Sequence, residues 1–317
     1  MLRISLALGL TASAILLGTT GAYAQVEAQS FGSAVVGPPA LGVSADGQAV
    51  LAWSGSVTTF ASVRPAGGAF GPRQRLSTGG NASRVFALGV GRRGDAVVVW
   101  QRTDRGGSPT GPLYANVRGS RGAFSGTMRV PGSEGGRTPS TAVSPDGTIV
   151  VAWRRTAARG CGSIVVASVA RPGHSFGTSH RVSGACPSAQ EVRATMSADG
   201  TGAIVWRAGR ARDAYVLEAA AVGHTQFGIV RRVSRTPVVG FGAEVAGADT
   251  GGLLVWRDRI SGDPRGPAGR VLSARVAADR VGAIVPVSAG DGVVGVPRVT
   301  ARPDGSAPLQ RNAMHIW

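Results

Sequence analysis

Arginine is the residue type in this sequence whose number and spacing could do chemistry. The 317-residue chain contains no lysine, so all 34 of its basic residues are arginines, against 17 acidic residues. Guanidinium groups bind carboxylate, sulfate and phosphate through paired hydrogen bonds. The candidate anion-binding residues follow recurring tryptophans and are Arg102, Arg154, Arg155, Arg207, Arg210, Arg257 and Arg259. The alternative interpretation is a composition bias, in which arginine is merely the polar residue of the loops.

Other kinds of site find little support in the sequence. A zinc site needs clustered ligands, and the histidines are scattered at His174, His180, His224 and His315. Glycoside hydrolysis needs two facing carboxylates, and no spacing selects a pair among the loop residues Asp104, Glu134, Glu191 and Asp213. No G-x-S-x-G motif or phosphate-binding P-loop occurs. We therefore predict no catalytic residue, no metal site and no cofactor.

The tryptophans that precede the arginines belong to a repeated hairpin. Segments such as "AVSPDGTIVVAW" and "TMSADGTGAIVW" recur about every 50 residues, a period typical of propellers and solenoids. They end at Trp53, Trp100, Trp153, Trp206 and Trp256. A second series in Gly-rich turns runs beside them, at Phe31, Phe70, Phe124, Phe176 and Phe227, with Val281 in the sixth place. Each unit predicts four antiparallel strands, a to d, with an Asp-Gly turn between a and b.

The two ends of the repeat array predict how the units are joined. The segment "SFGSAVVG" matches strand d alone, whereas "VPRVTARPDG" and the residues after it match strands a, b and c. Together these segments would complete one unit and remove the exposed sheet edges of an open array. We therefore predict an all-β fold, a six-bladed β-propeller of four-stranded antiparallel blades, closed by the N-terminal strand and the three C-terminal strands. A partial solenoid or two half-domains is the alternative.

The hairpin also carries a family resemblance. "VSPDGTIVVAW" resembles the six-bladed propellers of the NHL type, in which a "DPDG" turn joins the first two strands, and the chain resembles sialidase-like propellers of exported bacterial proteins. The resemblance covers essentially all of the chain after residue 24, and it implies a fold without an activity. The sequence departs from the sialidase pattern, because "SADGTGAIVW" lacks the Asp-box spacing and the F/Y-R-I-P signature is missing. The two tyrosines after the leader, Tyr114 and Tyr215, fall in predicted strand c.

Export is predicted by the N-terminal residues. Residues 1–24 combine Arg3, an apolar run and a final Ala22-Tyr23-Ala24, as in a signal peptide. We expect a secreted protein, extracellular or periplasmic, with residues 25–317 as a single propeller domain and no membrane span after cleavage. An uncleaved anchor is the alternative.

A disulfide between Cys161 and Cys186 is expected in an exported protein. The two cysteines flank strands c and d of one unit, so antiparallel pairing brings them together. The bridge would add about 3 kcal/mol of stability. A redox-active or metal-binding thiol pair is the alternative.

These patterns together predict a non-catalytic binding module. Its arginine-rich face would bind an anionic glycan or a cell-envelope polymer, because the loops after strand b would converge at one mouth of the ring. A protein–protein interaction scaffold and a divergent glycoside hydrolase or lyase are the alternatives. A nucleic acid would suit the net charge of +17, but export argues against one, so no nucleic-acid partner is expected. The recurring tryptophans are expected to pack between blades.

Overall fold

The computed structural model describes residues 37–77, 83–157, 162–184, 188–209, 216–223, 226–234, 238–248, 250–259, 268–277, 280–288, 297 and 299. Within these residues the regular structure is all β-strand, and twenty strands form five four-stranded antiparallel sheets. In every sheet the four strands are neighbours in chain order, which confirms the all-β prediction and the a-to-d unit. The segments predicted to build a sixth unit fall almost entirely outside the described residues.

The strands have the following bounds. Sheet 1 contains β1 (Ala40–Val43), β2 (Ala49–Ser54), β3 (Thr59–Arg64) and β4 (Gln74–Arg75). Sheet 2 contains β5 (Ser83–Val90), β6 (Ala96–Thr103), β7 (Pro109–Arg118) and β8 (Met128–Arg129). Sheet 3 contains β9 (Arg137–Val143), β10 (Ile149–Thr156), β11 (Ser163–Ala170) and β12 (His180–Arg181). Sheet 4 contains β13 (Gln190–Met196), β14 (Gly202–Ala208), β15 (Val216–Val222) and β16 (Arg231–Arg232). Sheet 5 contains β17 (Val238–Gly247), β18 (Gly252–Arg259), β19 (Ala268–Val276) and β20 (Val285–Pro286).

The Asp-Gly turn joins the first two strands through local hydrogen bonds. In sheet 3, Ser144 N donates to Thr148 O at 2.8 Å, and Thr148 N donates to Asp146 Oδ1 at 3.1 Å. Ser144 Oγ also donates to the Asp146 carboxylate. Gly147 has φ 85°, a conformation that glycine adopts without the strain a side chain would add. The predicted hairpin turn is therefore confirmed.

Replacing Asp146 with alanine is expected to lower the free energy of unfolding by about 1–2 kcal/mol, because the turn loses its side-chain acceptor. Urea unfolding followed by tryptophan fluorescence would measure the change. Arg171→Ala is the control, since Arg171 is an exposed residue in another turn of sheet 3. If both variants unfold at the urea concentration of the wild type, the carboxylate has no structural role in the turn.

A serine after each fourth strand ties that short strand to the third one. Leu113 N donates to Ser133 Oγ at 2.9 Å, and Val165 N donates to Ser183 Oγ at 3.0 Å. The same contact recurs in the other sheets at Ser77, Ser234 and Ser288. Each fourth strand has only two residues, so this buried hydrogen bond extends the pairing beyond the ladder.

The five sheets pack face to face in chain order. Side chains of β10 alternate, so that Trp153 packs with Val97 and Val99 of sheet 2, while Ala152 packs with Trp206 of sheet 4. The first strands of neighbouring sheets also contact one another. All five recurring tryptophans are at most 1% exposed, which confirms that they pack in the core. Successive four-stranded antiparallel sheets with adjoining first strands have the packing of propeller blades.

Several predictions concern residues outside the described part of the chain. Cys161, Cys186 and Arg210 lie there, as does the whole of the predicted signal peptide. Among the described residues, no helix has the length and apolar character that crossing a membrane requires.

Candidate functional site

The candidate arginines are placed at one end of the sheets, where each second strand ends and each first strand begins. We call this the arginine end. Arg102 lies in β6, Arg154 and Arg155 in β10, Arg207 in β14, and Arg257 and Arg259 in β18. Because the strands are antiparallel, the connections before the first strand and after the second strand leave a sheet at this end, and the Asp-Gly turns lie at the other.

Sheet 3 places two arginines directly opposite each other. Arg154 in β10 and Arg137 in β9 are cross-strand partners. Such partners have Cβ atoms about 4.5–5.5 Å apart, and like charges in this arrangement repel. The ion pairs found among the described residues include neither guanidinium. Arg154 Nη1 instead donates to Gln190 Oε1 at 3.1 Å. The strand pairing thus brings two like charges into register.

Arg155, next in the strand, is anchored to the connection between β8 and β9. Its Nη1 donates to Gly132 O at 3.2 Å. Glu134 of the same connection forms an ion pair with Arg129. The hydrogen bond from Arg129 holds the pKa of Glu134 below its usual value, and the charge of Arg155 contributes in the same direction. The carboxylate of Glu134 thus partly balances the positive charge of Arg129 and Arg155.

Arg102 lies over an aromatic stack. Its guanidinium carbon is 5.4 Å from the ring centroid of Tyr114, and Tyr114 stacks on Trp100 with the centroids 4.7 Å apart. A cation over a ring face is held by the quadrupole of the ring. This contact fixes the direction of Arg102, whose side chain remains partly exposed.

Arg207 is buried and holds a carboxylate of its own chain. Arg207 Nε lies 3.1 Å from Glu191 Oε2, and the two side chains are 7% and 11% exposed. The sequence predicted an arginine that binds an external anion. In the structure its charge is balanced by Glu191 in the interior.

Glu191 has an unusual environment and backbone conformation. Burial raises its pKa above the usual value, and Glu244 adds to the increase, while the charges of Arg207 and Arg193 oppose it. Its φ is 45°, at a register shift between β13 and β14. Thr138, which also follows the first residue of a first strand, has the same φ of 45°. The conformation therefore recurs in the neighbouring sheets 3 and 4.

The described carboxylates that border the arginine end all have partners within the chain. Asp104 Oδ1 accepts hydrogen bonds from Gly106 N and Ser108 N, both at 2.9 Å, which caps its turn. Glu134 and Glu191 are paired with arginines, as described above, and Asp213 lies outside the described residues. Across the described ranges, no group of three or more histidine, cysteine and acidic residues is placed to hold a metal ion.

Sequence reasoning identified Arg154 and Arg155 but missed Arg137 and Gln190, which the structure adds to the same corner. Both residues are the first residues of first strands. Because first strands begin at the end of a sheet where second strands finish, the strand order places both residues at the arginine end. The predicted arginines were those that follow the tryptophans. For Arg259, only its position as the last residue of β18 is described.

The sequence matches no family model and no curated protein. Similar solved structures include a protein of unknown function from Dyadobacter fermentans, at 14% identity over 76% of this chain and 78% of that chain, with a TM-score of 0.47. A Hadza microbial sialidase is 12% identical over 83% of this chain, with a TM-score of 0.49, and this chain spans only 60% of its length. The α-L-arabinanase of Penicillium chrysogenum, complexed with arabinobiose, is 10% identical over 78% of this chain and 80% of that chain, with a TM-score of 0.45. Similarity at this level assigns no activity to the chain.

Proposed function

We propose that this protein is a secreted, non-catalytic binding module that takes an anionic glycan or cell-envelope polymer at the arginine end. The opposed pair of Arg137 and Arg154 carries the proposal. Two like charges in register are unfavourable in the free protein, so an anion that bridges them gains both attraction and relief of repulsion. Arg155 and Arg102, each held in one direction by its own contact, supply further donors at the same end of the sheets.

The ring in this proposal is closed and has six blades. Trp53 is 1% exposed although it lies on the face of sheet 1 that is turned away from sheet 2. The opposite outer face, on sheet 5, is also covered, because Val255 is 2% exposed and Val299 packs against its cluster. A sixth blade between sheets 5 and 1 would bury both faces. It would consist of the N-terminal strand and the three C-terminal strands.

At the arginine end, surface composition favours a polymer over a protein scaffold. The large hydrophobic side chains exposed in the described residues include no aromatic one, and they are Leu41, Val43, Val57, Ile229 and Val285. Protein interfaces draw most of their binding energy from buried aromatic and arginine anchors. The net charge of +17 suits an anionic polymer, whose repeated charges it attracts over a distance of about 10 Å at moderate salt.

Binding of secreted protein to dextran sulfate, polygalacturonate and uncharged dextran tests the proposal. We expect binding to the two anionic polymers that weakens with salt, and no binding to dextran. The triple variant Arg137→Gln, Arg154→Gln and Arg155→Gln should bind at least about tenfold more weakly, which corresponds to about 1.4 kcal/mol. The matched control changes Arg92, Arg93 and Arg171 to glutamine, because these exposed arginines lie at the other end of the sheets.

Equal losses in the two triple variants would mean that net charge alone drives binding, and the arginine end would then be no site. Binding to none of the polymers would refute the polymer as partner.

The intact mass of the secreted protein tests the proposed signal peptide and disulfide. Cleavage after Ala24 removes residues 1–24. A disulfide between Cys161 and Cys186 removes two hydrogen atoms.

A further inference from the structure

The phenylalanines of the second repeated series pack where two neighbouring sheets meet, and we call each such place a joint. Phe124 packs against the core shared by sheets 1 and 2, and Phe176 is 5% exposed in the core of sheets 2 and 3. Phe227 packs against the core of sheets 3 and 4. Each ring comes from the turn after a third strand and covers the joint to the preceding sheet.

Val281 occupies the same place at the joint of sheets 4 and 5. Phe227 forms an isolated β-bridge with Val222, and Val281 forms one with Val276. The glycine that follows also behaves alike, because Gly228 N donates to the third strand at 2.9 Å and Gly282 N at 2.8 Å. Val281 packs against the core of sheets 4 and 5. This joint therefore has an isopropyl group where three others have a ring.

A groove lies at this joint. Its volume is about 440 Å³, and it is lined by Arg232, Val233, Ser234, Val281, Gly282, Ala283 and Ile284. At the joint of sheets 3 and 4, His180 begins the fourth strand and contacts the Phe227 ring, with the centroids 6.0 Å apart. At the joint of sheets 4 and 5 the fourth strand begins with Arg231, which is exposed. The missing ring is thus accompanied by a change from an aromatic neighbour to a charged one.

The groove combines an apolar lining with an exposed cation at its border. Val233 is 3% exposed, and Val281 and Ile284 pack against the same core cluster. Arg231 is exposed and lies on the same face of β16 as Val233. Arg232 lies on the other face of that strand, opposite Glu218. The lining contains no acidic residue. A ring with a carboxylate beside it complements these features, because the ring fills the apolar space and the carboxylate pairs with arginine.

We infer that this groove docks an acidic peptide segment of a partner protein, which inserts one aromatic side chain where the other joints use their own phenylalanine. A peptide suits the place because the outer edge of β16 is unpaired among the described strands. Its backbone groups can therefore bond an extended chain. Arg231, which stands where the preceding joint has His180, selects acidic neighbours of the aromatic residue.

Fluorescence polarisation with a labelled acidic peptide that has one central phenylalanine tests the inference. The full secreted protein should bind this peptide, and the same peptide with alanine at the centre should bind at least about tenfold more weakly. Val281→Phe should weaken binding by a similar factor, because the protein's own ring then fills the groove. This variant should fold normally, since it installs the residue that the equivalent joints carry, and a circular dichroism spectrum and melting temperature would verify this.

Two further variants make the result specific. Arg231→Gln should weaken binding about tenfold and reduce its dependence on salt. Ile229→Ala, which removes an exposed apolar side chain outside the groove lining, should leave peptide binding unchanged. All three variants should bind the anionic polymers of the preceding test as the wild type does, so the two proposals fail independently. Full peptide binding by a folded Val281→Phe protein, or no preference for phenylalanine over alanine, would overturn the inference.

Discussion

Replacing Arg207 with alanine is expected to lower the free energy of unfolding by about 3–5 kcal/mol, because it leaves the carboxylate of Glu191 buried without its partner. The two side chains are 7% and 11% exposed and their charged atoms lie 3.1 Å apart. Removing one member of a buried ion pair is much more costly than removing both.

Urea unfolding of Arg207→Ala, Glu191→Gln and the double variant would measure this coupling. The double variant should be more stable than Arg207→Ala alone, since no uncompensated charge then remains in the interior. Strictly additive losses would show that the pair has no energetic coupling. Arg105→Ala is the control, because Arg105 is exposed in a turn of sheet 2.

Glu191 also gives the unfolding free energy a distinct dependence on pH. Burial raises its pKa above the usual 4.5, so the folded protein binds this proton more readily than the unfolded chain does. This contribution is fully present below pH 4.5 and is lost as the pH rises through the raised pKa. The wild type should therefore gain stability relative to Glu191→Gln as the pH falls from 7 to 4.5. Groups with lowered pKa, such as Asp199, titrate in both proteins and cancel in the comparison.

Replacing Trp153 with alanine is expected to lower the free energy of unfolding by about 3–5 kcal/mol, because the indole fills the joint between sheets 2 and 3. The side chain is 0% exposed, so its removal leaves a cavity that the flanking sheets cannot close without breaking their strand pairing. Trp153→Phe should lower the free energy of unfolding by clearly less, because the phenyl ring fills part of the same space. Urea unfolding at equal slope would confirm that the native state alone has changed.

The equivalent substitution at Trp53 tests whether the ring closes. Trp53 faces away from sheet 2 and is 1% exposed, so in a closed ring Trp53→Ala should be as destabilising as Trp153→Ala. If the array were open at sheet 1, the indole would be mostly solvated on that side. The loss of unfolding free energy would then be well below that of Trp153→Ala, and this result would refute the sixth blade.

The sequence alone determined the sheets and their turns. The Asp-Gly turns around Asp46, Asp146 and Asp199 form through hydrogen bonds within four residues of one another, so a window of a few residues holds all the information needed. The tryptophan spacing similarly determined where each second strand ends, because both faces of that strand are buried. The turns and the strand ends depend on contacts between residues that are close in the chain, and every repeat contains those residues.

Only the tertiary structure decided what the arginines do. Arg154 and Arg155 follow one tryptophan and Arg207 follows the next, yet Arg154 meets Gln190 of another sheet while Arg207 is buried against Glu191. These partners depend on the register shift at Glu191 and on how neighbouring sheets pack, and neither can be read from one unit. The space beside Val281 likewise exists only because two sheets meet there. A repeat determines its own hairpins through local bonds, whereas the charges and gaps at its joints are set by side chains brought together from separate units.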